Sequence, residues 1–176
     1  DDMAGLRWCP MFPVHGEPLS PLIQAPVRSA FQPLVYSDWA HRLCQDAGIE
    51  AVMLGHGVDT AIFQPGDRAT ARAVMGIPED HFLVVMVAFN RGDRKCLVDN
   101  LVGFQIFQQT YPDAELYLHT ADGSDGADAQ ATNLPALIVA LKMSDRVRYP
   151  DQYVHRSGLL GPPQLATVYQ AADVLL

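Results

Sequence analysis

Strand-like and helix-like patterns of apolar residues alternate along the chain from residue 34 onward. Residues 82–89 are apolar at every position, which is typical of a strand buried on both faces of a parallel sheet. The apolar residues between Leu97 and Phe107 recur instead at helical spacing, and the helix that they predict extends to Thr110. This alternation predicts an α/β fold, with a Rossmann-like parallel sheet and helices on both faces.

The same patterns predict the other elements of the chain. Further strands are predicted at residues 34–36, 51–54, 114–120, 147–149 and 174–176. Further helices are predicted at residues 22–30, 40–47, 68–75, 134–141 and 165–172. Ser37 is a favourable N-cap, and Gly48 and Gly76 are placed to end helices. The segment from Tyr149 to Pro163 is predicted to be a long loop, and the five prolines in residues 1–32 predict an irregular segment.

Charge and composition exclude several classes of protein. The 176 residues carry a net charge of −8, and no basic face typical of nucleic-acid binding is evident. No apolar run is long enough to span a bilayer, and residues 1–5 lack the pattern of a secretory signal. Cys9, Cys44 and Cys96 are odd in number and far apart, which fits neither a disulfide framework nor a zinc site. We therefore expect a cytoplasmic protein with reduced thiols.

Six segments, in the correct order and spacing, resemble one family of enzymes. They are Val35–Ser37 with Ala47–Ile49, His56–Asp59 with Phe63–Pro65, Met75–Pro78, Arg94–Lys95, Tyr111–Leu116, and Asp145–Val147 with Leu165–Tyr169 and Ala172–Val174. The chain resembles the retaining glycosyltransferases of family four (glycosyltransferase group 1) over roughly residues 34–176. That family has the GT-B architecture of two facing Rossmann-like domains.

The resemblance implies a division of the chain into parts of two domains. Residues 1–55 correspond to the end of the N-terminal, acceptor-side domain and the linker. Residues 56–176 correspond to most of the C-terminal nucleotide-sugar-binding domain, which stops before the E-x7-E motif of the family. The catalytic residues are therefore expected outside this chain, and the fragment is expected to be inactive alone.

The loop after the central strand is the predicted site for the donor diphosphate. Residues 90–95 contain three cations just ahead of a helix N-terminus, at the edge of the sheet where α/β proteins bind ligands. The family places an arginine and a lysine on the diphosphate here. Lys95 matches the lysine, and either Arg91 or Arg94 takes the role of the arginine. Cys96 stands where the family usually has glycine.

The segment around His56, Gly57 and Asp59 resembles the family's interdomain signature. Gly55 and Gly57 permit the backbone angles that a hinge or a close approach requires, so a hinge lining the cleft is one interpretation. For Asp59 by itself, a turn-capping carboxylate is the favoured alternative.

The resemblance places the nucleobase and ribose near residues 148–153. In this family the base is read there mainly by backbone groups. Arg148, Tyr149 and Tyr153 are the side chains in reach. For the two tyrosines the favoured alternative is ordinary packing with the hydroxyl directed outward.

The reaction implied is transfer of a sugar from a UDP-, GDP- or ADP-type donor to an acceptor, with retention of configuration. No metal or other cofactor is expected, because protein cations can neutralise the diphosphate. Asp122, Asp125 and Asp128 lack the spacing of a calcium loop and are interpreted as a flexible acidic loop. The acceptor, whether glycan, lipid or small molecule, is not predicted, and peripheral membrane association of the full-length protein stays open. An epimerase or glucan synthase of the same fold, or a non-catalytic binding domain, are the alternatives.

Overall fold

The structure is a computed structural model that describes residues 5–176. The chain divides into two compact units, with the boundary between Val58 and Asp59. Residues 1–4, on which part of the prediction about a secretory signal rests, lie outside the described residues. No helix within residues 5–176 is long and apolar enough to cross a bilayer.

The first unit contains two short strands and two helices. Its elements are α1 (Pro21–Val27), β1 (Leu34–Val35), α2 (Asp38–Asp46) and β2 (Val52–Met53). The two strands pair in parallel, and the Ser37 hydroxyl accepts a hydrogen bond from the Ala40 N–H at 3.2 Å, as the sequence predicts for an N-cap. The core of the unit is small and includes Val35, Leu43 and Cys44.

The second unit is a four-stranded parallel sheet covered by helices. Its elements are α3 (Arg68–Met75), β3 (Phe82–Val87), a 3-10 turn (Asp93–Lys95), α4 (Leu97–Thr110), β4 (Ala114–His119), α5 (Leu134–Ala140), β5 (Val147–Arg148), α6 (Gln152–Arg156), α7 (Pro162–Ala171) and β6 (Val174–Leu175). The strand order is β5-β4-β3-β6, and every pairing is parallel. The predicted fold class, an α/β sheet with helices on both faces, is confirmed.

Alternate residues of β3 build two separate cores. Val84 and Met86 face α4 and α5, whereas Leu83 and Val85 face α3 and α7. The four residues are buried, which explains why this segment is apolar throughout. The helices on the two faces therefore enclose the sheet over β3.

A buried ion pair ties α3 to the start of β6. The Arg72 guanidinium, 1% exposed, donates to the Asp173 carboxylate at 2.5 Å. The same guanidinium donates to the backbone carbonyls of Ala171, Glu79 and His81 at 2.6–3.0 Å. Asp173 also accepts from the Leu83 N–H of β3 at 2.7 Å, so its carboxylate joins the helix to two strands.

One expectation about local structure is wrong. The predicted loop from Tyr149 to Pro163 contains α6, whose first turn is capped by the Asp151 carboxylate accepting from the Val154 N–H at 2.9 Å. Five residues are too few to show a helical period in the sequence. Neither Gly55 nor Gly57 has a positive φ or a close neighbour, so the backbone here does not require glycine.

Candidate functional site

The strand order places the end of β3 at the point where the sheet reverses its winding. The connections from β3 through α4 to β4 run on one face, whereas α7, which leads into β6 on the other side of β3, packs on the opposite face. In open parallel sheets, ligands bind in the crevice that forms at this point, outside the carboxyl ends of the strands. The loop of residues 88–96 starts there.

Two cations in this loop, Arg94 and Lys95, have no acidic partner among residues 5–176. Arg94 and Lys95 form the end of the 3-10 turn and are exposed. Across residues 59–176, the other arginines all pair with carboxylates: Arg68 and Arg72 with Asp173, Arg91 with Asp128, Arg146 with Asp145, Arg148 with Glu115, and Arg156 with Asp122 and Asp125. Among residues 5–176, Arg94 and Lys95 are therefore two consecutive cations without a carboxylate partner.

The N-terminus of α4 adds backbone donors to these charges. Helices α3, α5 and α6 begin with Asp67, Asn133 and Asp151, each of which accepts a backbone N–H. Cys96, which begins α4, caps none. Within residues 5–176 the first N–H groups of α4 thus lack a side-chain acceptor, and the positive end of the helix dipole lies beside Arg94 and Lys95.

Cys96 holds a left-handed backbone conformation, with φ 48° and ψ 38°. A residue with a Cβ is rarely found there, whereas glycine adopts this conformation freely. This conformation gives a physical reason for the glycine that the family usually has at this position.

Arg91 differs from the other two loop cations. Its guanidinium donates to the Gln130 side-chain carbonyl at 3.0 Å and lies 3.4 Å from the Asp128 carboxylate. Its charge is therefore partly compensated within the protein. Of the two arginines that the sequence leaves open for the diphosphate, Arg94 is the one free to receive an anion.

The residues predicted near the nucleobase lie apart from one another. The Arg148 guanidinium pairs with the buried Glu115 carboxylate at 2.5 Å on one face of the sheet. Tyr149 packs against the core on the α4 side, and Tyr153 is exposed on α6. A cavity of about 300 Å³ in this region is lined by His119, Pro150 and Asp151 among others, and by none of the three predicted side chains. The base-contact prediction stays untested, but the guanidinium of Arg148 is already engaged.

The predicted hinge residues belong to different units. His56 stacks on Tyr36 within the first unit, with ring centroids 4.4 Å apart. The Asp59 carboxylate accepts from the Ala61 N–H at 3.0 Å, which is the turn-capping arrangement favoured for it in the sequence. Gly57 has open space around its Cα. The hinge role of this segment stays a prediction.

The acidic loop after β4 is built from turns in which each carboxylate has a partner. Asp122, Asp125 and Asp128 accept backbone N–H groups from residues two positions further on, at 2.9–3.1 Å. Asp122 is buried and also pairs with Arg156 at 3.1 Å. No group of three or more metal-binding side chains occurs within residues 5–176. The carboxylates thus have structural roles that the sequence interpretation did not predict.

Sequence reasoning gave no role to a histidine pair at the carboxyl end of β4. The rings of His119 and His155 meet edge to face with centroids 5.3 Å apart, and the Nδ1 atom of each is buried without a partner in the described part of the chain. Burial lowers the pKa of both imidazoles. The charge of His155 further lowers the pKa of His119, and the charge of Arg156 further lowers the pKa of His155. The two residues are 36 positions apart, so no local spacing reveals the pair.

This pair predicts a loss of stability in mild acid. Because both pKa values lie below the ordinary value of about 6.5, the unfolded chain binds more protons than the folded chain as the pH falls. The stability that the two neutral imidazoles contribute is fully present above pH about 6.5 and is lost as the pH falls below that value. We expect the urea midpoint to fall between pH 7 and pH 5.5, and to fall less in His155→Phe. His15→Phe, at an exposed position, is the control and should follow the unsubstituted protein.

Comparison with known proteins shows the fold. No protein-family model matches the chain, and no curated protein sequence is significantly similar to it. Sucrose-phosphate synthase from Thermosynechococcus elongatus matches 88% of the chain with a TM-score of 0.63 and 23% identity. A glycosyltransferase from Rickettsia africae matches 95% with a TM-score of 0.62 and 14% identity. Anabaena Alr3699/HepE, solved in complex with UDP and glucose, matches 85% with a TM-score of 0.54 and 16% identity.

The chain spans only part of these proteins, covering 36%, 44% and 38% of their respective lengths. At these identities the likeness concerns the fold and not the reaction. The parallel sheet with helices on its faces thus matches solved glycosyltransferases in fold, and the chain has a Rossmann-like fold of the GT-B type.

Proposed function

We propose that the protein containing this chain transfers a sugar from a nucleotide-diphosphate sugar to an acceptor with retention of configuration. The second unit, residues 59–176, holds the donor diphosphate in this proposal. The observation that carries it is the pair of uncompensated cations, Arg94 and Lys95, at the reversal point of a sheet with GT-B-type fold. Retention rests on the resemblance to family four alone.

The charge arrangement suits the chemistry of the leaving group. As the bond between the sugar C1 and the diphosphate oxygen breaks, negative charge builds up on the diphosphate. The Lys95 ammonium, the Arg94 guanidinium and the free N–H groups at the start of α4 stabilise that charge, because all three become more favourable as it grows. These groups supply the neutralisation that a metal ion gives in other enzymes.

The donor and the acceptor are identified to different extents. The HepE structure contains UDP and glucose, which together make up a nucleotide sugar, so we propose a UDP-sugar as the first donor to test. GDP- and ADP-sugars are the other candidates. We place acceptor recognition and the catalytic side chains outside these 176 residues, in the complete protein, which we propose acts in the cytoplasm.

Removing Lys95 should weaken binding of UDP to the complete protein by about 10- to 100-fold, since a hydrogen bond to a charged group contributes about 1.5–3 kcal/mol. Arg94→Ala should have a similar effect. The chain has only one other lysine, Lys142, which is also unpaired in the described residues. Lys142 lies before the amino end of β5, whereas Lys95 lies in the loop that follows the carboxyl end of β3. Lys142→Ala is therefore the matched control and should bind within twofold of the original.

Calorimetric titration with UDP, GDP and ADP measures these affinities. If none of the three nucleotides binds, or if Lys95→Ala and Lys142→Ala bind equally well, the diphosphate site is not here. Retention is checked separately, by the anomeric configuration of the first product in an NMR time course.

A further inference from the structure

The cationic loop, residues 88–96, is bonded to the loop between β4 and α5 by one buried side-chain amide. Asn90, in the first half of this loop, is 3% exposed although its side chain is polar. Its Nδ2 donates to the carbonyls of Ala121 and Thr132 at 3.0 and 2.8 Å, and its Oδ1 accepts from the Thr132 N–H at 3.0 Å. All three bonds reach the loop between β4 and α5, which lies 31–42 residues further along the chain.

Two further contacts extend this connection toward the cations. The Gly92 N–H donates to the Gln130 carbonyl at 2.8 Å, and the Arg91 guanidinium donates to the Gln130 side chain. Residues 90–92 are therefore bonded along their length to the loop after β4. Arg94 and Lys95 follow immediately, on the part of the loop that is exposed.

Gly123, in the loop between β4 and α5, leaves room for the hydrogen bonds of Asn90. Gly123 has φ +70°, and a Cβ there would lie 2.3 Å from the Thr132 carbonyl oxygen and 3.1 Å from the Asn90 Nδ2. A side chain at this position would displace Thr132, the residue to which the Asn90 amide bonds, and would crowd the amide itself. Gly126, in the same loop, has φ +66° but no atom within 4 Å of a Cβ, so it shares the backbone requirement without the steric one.

We propose that Asn90 is a positioning residue for diphosphate binding, which acts by holding the cationic loop against the loop after β4. This inference rests on the proposed function of that loop. Without the amide, residues 91–96 would have to be ordered when the ligand binds, and the entropy lost would reduce the affinity. With it, the two charges and the α4 N-terminus are fixed before the nucleotide arrives.

Two variants of the complete protein, with substitutions in the two different loops, test this role. Asn90→Ala removes the bonds, and Gly123→Ala inserts a methyl group against Thr132 and the Asn90 amide, where the bonds are made. Each should weaken UDP binding by about tenfold and speed amide hydrogen exchange of residues 91–96 by at least about tenfold. UDP affinity is measured by calorimetry, at a temperature well below the thermal midpoint of each variant.

Two matched controls separate positioning from general loss of stability. Gly126→Ala introduces the same unfavourable φ without the clash, and Gln105→Ala removes a different amide, one that donates to the Leu141 carbonyl at 2.8 Å. Both should lower the thermal midpoint, yet keep UDP affinity within twofold and leave exchange of residues 91–96 unchanged.

The outcomes distinguish this inference from the proposed function. If UDP binding depends on Lys95 but Asn90→Ala and Gly123→Ala keep the original affinity, the positioning role is wrong and the diphosphate site stands. If UDP does not bind the unsubstituted protein, the proposed function fails, and the positioning role for a diphosphate fails with it. Hydrogen exchange then still decides whether Asn90 fixes the loop.

Discussion

Asp173→Ala should lower the free energy of unfolding of the second unit by about 3–5 kcal/mol, the range for removing one partner of a buried ion pair. The substitution leaves the Arg72 guanidinium, 1% exposed, without its carboxylate, and it also leaves the Leu83 N–H without an acceptor. Arg68, which pairs with the same carboxylate at 2.8 Å, is half exposed and loses less, because water replaces its partner.

Urea unfolding followed by circular dichroism measures this effect. Both tryptophans of the chain, Trp8 and Trp39, lie in the first unit, so their fluorescence follows that unit separately. Asp145→Ala is the matched control, since the Asp145 carboxylate is 80% exposed and lies 3.7 Å from Arg146; its effect should stay below about 0.5 kcal/mol. Equal effects of the two substitutions would show that the Arg72 pair does not stabilise the fold.

Glu115→Ala should lower the free energy of unfolding by about 2–3 kcal/mol. The carboxylate is buried in β4 and contacts His81 Nδ1 at 2.6 Å and Arg148 Nε at 2.5 Å. Removing it deprives both partners of a charged acceptor. The expected loss is smaller than for Asp173, because Arg148 is 43% exposed and can turn its guanidinium to water.

The same carboxylate predicts a pH dependence. Burial by itself raises the pKa of Glu115, but the hydrogen bonds and charges of Arg148 and His81 outweigh burial and hold this pKa below its ordinary value. A lowered carboxyl pKa gives stability that is present above the unfolded value of about 4.3 and is lost as the pH falls through the folded value. Unfolding midpoints between pH 6 and pH 3 should therefore fall less steeply in Glu115→Gln.

Glu79→Gln is the control for this measurement. Glu79 is exposed, and its carboxylate forms no ion pair within the described residues. This variant should keep the acid-side slope of the original protein. A slope that Glu115→Gln leaves unaltered would mean that the carboxylate titrates alike in the folded and unfolded chains.

The regular elements were predictable wherever a local pattern is long enough. The apolar run that becomes β3 and the helical spacing of α4 each extend over at least six residues, and α4 has the predicted bounds, Leu97–Thr110. Helix α3 also ends where Gly76 predicts, and this glycine has the left-handed φ of 66°. Helix α6 has only five residues, and its one signal was the capping carboxylate of Asp151.

The partners of charged side chains were not predictable, because they depend on strand register. Arg148 lies beside Tyr117 across the β4–β5 pairing, and this register directs its guanidinium to Glu115. Asn90 likewise meets Thr132 only once both loops are folded. The position of the cationic loop was predictable, and the contacts that fix it were not.

The strand order also has a consequence for how the sheet assembles. Val84 of β3 pairs with Leu116 of β4 across 32 residues (116 − 84), but with Val174 of β6 across 90 residues (174 − 84). Closing that longer segment costs more entropy, so we expect the β3–β6 pairing, and with it the Arg72–Asp173 pair, to form late in folding. Interactions that form late in folding slow unfolding and have little effect on the folding rate. Asp173 therefore acts chiefly on the lifetime of the folded sheet.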